Sequence, residues 1–269
     1  MRGLLAKALR EVWLATLLMG AGLSLIVAMI TYVLPQIQGE VGRVWMQIPI
    51  AKMMLTALLG TDLDDITAQT LHAMVWVHPM VLTLVWGHAI VICTRMPAGE
   101  IDRGTIDMLL GLPVSRRTVY ACESAVWLAS GIFIILMAWI GYSLSARGMP
   151  PTDRPEPVRI LLVLANLILL YIAVGGAAYL VSALSDRRGR AIAIVLGLLI
   201  ASFLLNFLAA FWEPAQRLSF LSVLDYYRPA HVFRDGRLPA GDLGVLLLVG
   251  GAGWLLGGEI LARRSICTV

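Results

Sequence analysis

Six long apolar stretches set the pattern of this chain: residues 12–34, 71–93, 119–144, 160–184, 191–212 and 243–261. Each is close to the ~20 residues an α-helix needs to cross the ~30 Å hydrocarbon core of a bilayer. The pattern predicts an all-α integral membrane protein with six transmembrane helices. The second stretch is the least regular. It holds His72, His78, Pro79 and His88, and a bend is expected at Pro79 because proline removes one backbone hydrogen bond. Ahead of the first stretch, Leu4, Leu5 and Leu9 alternate with Arg2, Lys7 and Arg10, which predicts a short amphipathic helix in the membrane interface. The first stretch is too long for a signal-peptide core, and residues 32–36 offer no small-residue cleavage site, so an uncleaved first span is expected.

Composition agrees with this pattern. The chain has 269 residues, is 59% hydrophobic and 14% charged, and has a mean hydropathy of +0.83. Soluble domains carry roughly 45–50% apolar and about 25% charged residues. So few charges cannot cover a water-facing surface of this length, whereas lipid lets apolar side chains face outward. The formal charge is +4, from 21 basic and 17 acidic residues. The basic residues sit in short clusters between apolar runs and form no stripe of the kind that binds nucleic acid. Cys93, Cys122 and Cys267 match no zinc or redox spacing and read as small packing residues.

Arginine placement orients the chain. The N-terminus, the 94–118 loop, the 185–190 turn and the C-terminal tail together hold 12 of the 21 basic residues on short segments. The opposite loops hold the other nine, spread over longer stretches and mixed with Asp62, Asp64 and Asp65. By the positive-inside rule both termini are expected in the cytoplasm. The outer loop 35–70 contains its own apolar segment, 45–59, and 149–157 is a proline-rich connector. Residues 213–242 suggest short helices at the outer interface before the sixth span, with Trp212, Tyr226 and Tyr227 as an aromatic belt. No internal repeat or low-complexity tract appears, and residues 1–269 read as a single domain.

The most informative segment joins the second and third spans, residues 100–120. Glu100 and Asp102 stand near an expected helix N-terminus, where the helix dipole favours them. Ile101, Ile106, Leu109 and Leu110 supply apolar contacts, Leu112-Pro113 stops the helix, and Ser115 can cap the third span. The prediction is one short amphipathic helix over 100–112, held between two spans. Glu100, Gly104, Thr105, Ile106, Asp107, Leu109, Leu110, Pro113, Val114, Ser115 and Arg116 together resemble the same loop in the membrane subunits of ABC-2 type transporters. The six-span layout, the interface helix and the basic ending at 260–266 are also similar to that family, with a likeness to its multi-copper enzyme maturation permeases.

The resemblance implies that this loop is a cytoplasmic coupling helix gripped by an ATPase subunit. It further implies two such ATPases, a second permease copy forming a homodimer, and ATP and Mg bound on the partner, with no cofactor on this chain. Export across a bacterial or archaeal inner membrane is the expected activity. The chain itself supplies no nucleotide site, because Lys7 and Lys52 both follow alanine where a P-loop needs glycine. Membrane lipid or an amphipathic compound is the expected cargo class. A different function class fits the same resemblance: a membrane scaffold whose outer loops 35–70 and 213–242 dock a periplasmic metalloenzyme during its maturation.

Intramembrane enzymes are disfavoured. Ser24, Ser130, Ser182 and Ser202 lack the setting of a membrane serine protease, and no His-Glu-x-x-His pattern occurs. His72, His78 and His88 fall at about 0°, 240° and 160° around a helix, not on one face, and those near the outer end read as interface residues. Glu123, one turn into the third span, is a candidate intramembrane polar group, with pairing to Arg95, Arg117 or Arg187 as the structural alternative. Glu259 has Arg263 one turn away. Asn166 and Asn206 can bond between helices or line a pathway. Gly253 and Gly257, like Gly175 and Gly176, invite close helix approach within the subunit or at a dimer seam.

Overall fold

A computed structural model describes residues 2–38, 47–60, 71–111 and 113–265, with the side chains of residues 37, 38, 109 and 110 left out. Asp62, Asp64, Asp65, Leu112 and Cys267 therefore lie outside the described residues, as do the side chains of Leu109 and Leu110. Every regular element among the described residues is helical.

The first helix, α1 (Arg2–Gln38), is continuous over 37 residues. The separate interface helix expected at its start is absent as an element; its residues extend the first span. At 1.5 Å per residue α1 is roughly 55 Å long, well beyond the ~30 Å apolar core, so its basic first turns reach past the hydrocarbon. It buries Ala8, Val12, Leu23, Val27 and Leu34 at helical spacing along α7 (Arg116–Ala146), while Leu14, Leu18, Leu25 and Met29 stay exposed. Outward-facing leucines are what a lipid solvent permits.

Four further helices are long and apolar enough to cross a membrane unbroken or nearly so: α7, α8 (Pro157–Leu184), α9 (Arg188–Ala209) and α12 (Ala240–Arg263). The remaining span is interrupted. It begins as α3 (Ala73–Val77), breaks at His78, whose ψ of 130° leaves the helical region, and resumes at Pro79 as α4 (Pro79–Cys93). Beyond α4 the chain bends by 60° into residues Arg95–Asp102. Within that stretch Met96 is extended, with φ −129° and ψ 128°. Five helices are thus unbroken candidate spans, and a sixth is counted when α4 and the bent stretch Arg95–Asp102 are taken together; the chain also leaves helical geometry at His78, beside the expected bend at Pro79.

Helices α8 and α12 touch backbone to backbone. A Cβ on Gly176 would lie 2.0 Å from the Gly250 carbonyl oxygen, and one on Gly253 would lie 2.7 Å from Gly176. The small-residue stripes therefore serve packing within the subunit. Aromatic residues fill the opposite faces, with Trp127 lying between Tyr171 and Tyr179.

Two buried histidines hold helices together. His88 sits between Thr16 of α1 (3.1 Å from Nε2) and Tyr171 of α8 (3.0 Å from Nδ1), and the Tyr171 hydroxyl donates on to the Trp127 carbonyl. With Tyr171 donating onward, the His88 Nδ1–H is the donor to the Tyr171 oxygen, and Nε2 shares a hydrogen bond with the Thr16 hydroxyl. His72, expected near the outer end of its span, is also fully buried. Its Nε2–H donates to the Asp153 carbonyl at 2.8 Å and its Nδ1 accepts from the Tyr142 hydroxyl at 2.8 Å. Cys93 and Cys122 are free and buried.

The two ends of the bundle differ. One end is capped by α2 (Pro49–Leu59), α3, α10 (Glu213–Leu218), two 3-10 turns and α11 (Pro229–Asp235). Tyr227 donates there to the Trp76 carbonyl at 3.2 Å, and Arg159 donates to the Phe233 carbonyl. The opposite end gathers the start of α1, the α4–α7 loop, the α8–α9 turn and the end of α12. Lys7 meets Glu100, Arg116 meets the carbonyls of Leu261 and Arg264, and Arg264 meets Asp186. The arginine-rich segments do share one end.

Candidate functional site

The α4–α7 loop folds as two short helices in place of the single one expected. Helix α5 (Glu100–Asp102) stops at Gly104, and α6 (Ile106–Leu110) follows. Gly104 has φ +68°, a left-handed conformation that costs other residues roughly 1–2 kcal/mol. Its N–H donates to the Ile101 carbonyl at 3.0 Å and the Thr105 N–H to the Glu100 carbonyl at 3.0 Å. This pair of bonds is the Schellman arrangement that closes a helix C-terminus. The Gly-Thr of the sequence is thus a helix stop with a stated geometry.

Glu100 is the anchor. It is only 3% exposed, and its carboxylate accepts from Lys7 at 3.3 Å, from Arg103 at 3.1 Å and from the Thr105 hydroxyl. Lys7 also pairs with Glu11 at 3.2 Å. The first turns of α1 are thereby fastened to the loop. On the other side, the Ala98 N–H donates to Ser182 of α8 at 3.2 Å, and Asp102 accepts from the N–H of Arg188 at the start of α9 at 3.3 Å. Residues 98–105 are thus tied to three spans, α1, α8 and α9.

Arg95, at the root of the loop, is buried. One arm of its guanidinium donates to Glu11 of α1 and the other to Glu123 of α7. Glu123 therefore takes the structural alternative, an ion pair with Arg95. Its side chain is 8% exposed and Arg95's is 7%. Removing one member of so enclosed a pair strands the other, which costs about 3–5 kcal/mol. Glu259 pairs with Arg263 and also with Arg117 at 2.9 Å.

The described side chains of α6 divide between buried and exposed. Ile106 is fully buried, whereas Met108 on the same helix is 77% exposed, and Asp107 is exposed beside it. A Met with that exposure on a pinned helix is an adaptable apolar contact. Pro113 is exposed and follows the helix, Ser115 accepts from the Thr118 N–H at 3.1 Å as the cap of α7, and Arg116 crosses to the end of α12.

The other sequence candidates fall elsewhere. Asn166 is fully buried in α8, and neither atom of its amide has a hydrogen-bond partner among the described residues. Asn206 lines a small cavity of about 30 Å³ near the capped end, with Leu58, Phe203, Phe207 and Tyr227. Neither joins the loop. Among the described residues no three His, Cys, Asp or Glu side chains converge as a metal-ligand set.

The sequence matches the family described as ABC-2 family transporter protein over residues 9–244. The chain belongs to that family. It is thus a multi-pass membrane subunit of an ABC-2 type transporter, a transport component rather than a catalyst, and membership implies association with an ABC ATPase. No curated protein matches the ABC-2 subunit significantly in sequence.

Sequence reasoning singled out the loop but missed most of its anchors. In the sequence of this ABC-2 subunit Lys7 stands out only in the N-terminal amphipathic pattern and as a rejected P-loop lysine, Arg103 and Arg188 only as topology signals, and Glu11 not at all. The available signal was an ionisable residue at the end of nearly every span, which lipid makes costly unless it is paired.

Proposed function

We propose that the ABC-2 subunit is the passive, membrane-spanning half of an exporter whose ATPase is a separate polypeptide, and that α5–α6 is where the ATPase grips it. The observation that carries this reading is the division of α6 into a fully buried Ile106 and a 77% exposed Met108, on a loop tied by Glu100, Ala98 and Asp102 to α1, α8 and α9. Such a segment offers a partner an apolar contact and passes any displacement directly into the bundle.

In this reading the arginine-rich end faces the cytoplasm, which the positive-inside rule supports. A second copy completes the transport path, and ATP and Mg bind between the two ATPases. Closure of the ATPases pushes α6. The push reaches α4 through the bend at 95–99, and α1 and α7 through Arg95 with Glu11 and Glu123. Export is proposed as the commoner direction among ABC-2 type transporters.

Met108→Asp tests the grip. The acidic side chain stays in water in the isolated subunit, so the fold is unaffected, but it must be desolvated against the partner. Loss of one central contact costs ~1.4 kcal/mol or more, about tenfold in affinity. In proteoliposomes holding subunit and ATPase, the variant is expected to bind the ATPase at least about tenfold more weakly and to lose transport in proportion. Unchanged binding together with full transport sinks the coupling assignment. No observation favours the metalloenzyme-docking alternative, and much of the 35–70 loop it relies on lies outside the described residues.

A further inference from the structure

At the arginine-rich end, a cavity of about 320 Å³ opens between α1, α4 and α9, lined by Glu11, Val12, Ala15, Val91, Ile92, Arg95, Arg103 and Arg188. Ligand pockets run from roughly 300 to 1,000 Å³, so this one holds a headgroup-sized molecule. Three guanidinium groups face one carboxylate across it. The carboxylate, Glu11, is already engaged by Lys7 and Arg95. Arg103 is engaged by Glu100. Arg188 differs. Its Nη2 donates to the Val91 carbonyl at 2.9 Å, and no carboxylate lies within 4 Å of its side-chain nitrogens among the described residues.

Two donors are left over. The Nε atoms of Arg95 and Arg188 are both buried without a hydrogen-bond partner among the described residues, and the Arg95 side chain is only 7% exposed. An orphaned charged donor away from water is costly; neither Nε opens onto the cavity as it stands, but an acceptor entering the cavity that both side chains line would relieve them after a small side-chain movement. Arg188 also occupies the first turn of α9, a 22-residue helix with no acidic residue in that turn. The N–H at that end is already taken by the Asp102 carboxylate, so the positive charge offered to the cavity comes from the guanidinium groups. The remaining wall is apolar, made of Val12, Ala15, Val91 and Ile92, and the flanking helices α1 and α9 carry exposed Leu14, Leu18, Ile194 and Leu198 toward lipid.

We infer that this cavity binds the phosphate group of a membrane phospholipid, with Arg95, Arg103 and Arg188 around the phosphate and the first carbons of the lipid along Val12, Ala15, Val91 and Ile92. A phosphate supplies several acceptor oxygens to a cluster of guanidinium donors. Basic pockets between spans at the headgroup level bind anionic lipid for the same reason. The inference does not depend on the coupling role of α6, since a subunit that fails to grip an ATPase still binds lipid here.

The test is native mass spectrometry of the purified full chain in detergent, titrated with dioleoyl phosphatidylglycerol, and in parallel arms with glycerophosphate and inorganic phosphate as competitors. Arg188→Gln is the variant of choice because it leaves no buried acid unpaired, and Arg190→Gln, an exposed arginine in the same turn, is the control. One retained lipid per subunit is expected. Its affinity should fall about tenfold in Arg188→Gln, the loss of one charge-assisted hydrogen bond, and be partly restored in Arg188→Lys. Arg190→Gln should leave it within about twofold, and the two competitors should displace little of it. Equal losses in Arg188→Gln and Arg190→Gln overturn the site in favour of general surface attraction. Displacement by inorganic phosphate as readily as by lipid overturns the lipid source. No retained lipid in the unaltered chain overturns the inference outright.

Discussion

Arg95→Met is the sharpest perturbation of the bundle. The substitution keeps most of the aliphatic stem and removes the charge. Its two partners then fare differently. Glu11 is 36% exposed and regains water, so its loss costs on the order of 1 kcal/mol or less. Glu123 is 8% exposed and keeps no other ion-pair partner among the described residues. Stranding it costs about 3–5 kcal/mol, less whatever it recovers by taking up a proton. For a chain of this size ~1 kcal/mol moves the melting temperature by roughly 2–4 °C, so a fall of about 6–20 °C is expected. Intrinsic tryptophan fluorescence or thermal size-exclusion in detergent reads it. Glu123→Gln added to Arg95→Met should restore most of the loss, because the stranded charge is gone, whereas Glu11→Gln added to it should restore little. If both double variants melt where Arg95→Met melts, Arg95 acts through packing rather than charge, and its role as an electrostatic tie between α1 and α7 is refuted.

Two further substitutions probe the interior. Gly250→Ala places a Cβ 2.7 Å from the Ile172 carbonyl oxygen, while Gly251→Ala meets nothing within 4 Å. The first should destabilise by about 1–3 kcal/mol and the second should be neutral or slightly stabilising in the same melting assay; equal effects would mean that α8 and α12 are not in backbone contact. Asn166→Leu replaces an unpartnered buried amide by a side chain of similar size, and should raise stability by about 1–3 kcal/mol if nothing in the assembled transporter bonds that amide. A loss of stability or of transport instead would show that the amide is used in the working complex.

The geometry of the loop gives its short motif a mechanical meaning. Gly104 ends α5, Thr105 closes the turn onto Glu100, and Ser115 starts α7, so the motif residues are mostly those that set where helices stop and begin. The residue offered outward, Met108, stands among them without being part of the pattern that drew attention to the loop.

Much of this protein was legible in one dimension. Span length follows from bilayer thickness, so apolar runs of about 20 residues announce helices directly. Local rules of proline and serine placed the bend beside Pro79 and the cap at Ser115, and the glycine stripes marked which helices could be approached closely, though not that α8 and α12 approach each other. Those features depend on neighbours within a turn or two, or on a property of the residue itself. The tertiary structure alone decided the rest. It joined Lys7 to Glu100 across 93 residues and Arg188 to the α4–α5 bend, and it closed Arg95 between Glu11 and Glu123. It also merged the expected interface helix into α1 and split the expected loop helix in two. Charges near span ends can pair with any opposite charge at the same depth, and only the packing of helices distant in sequence chooses which.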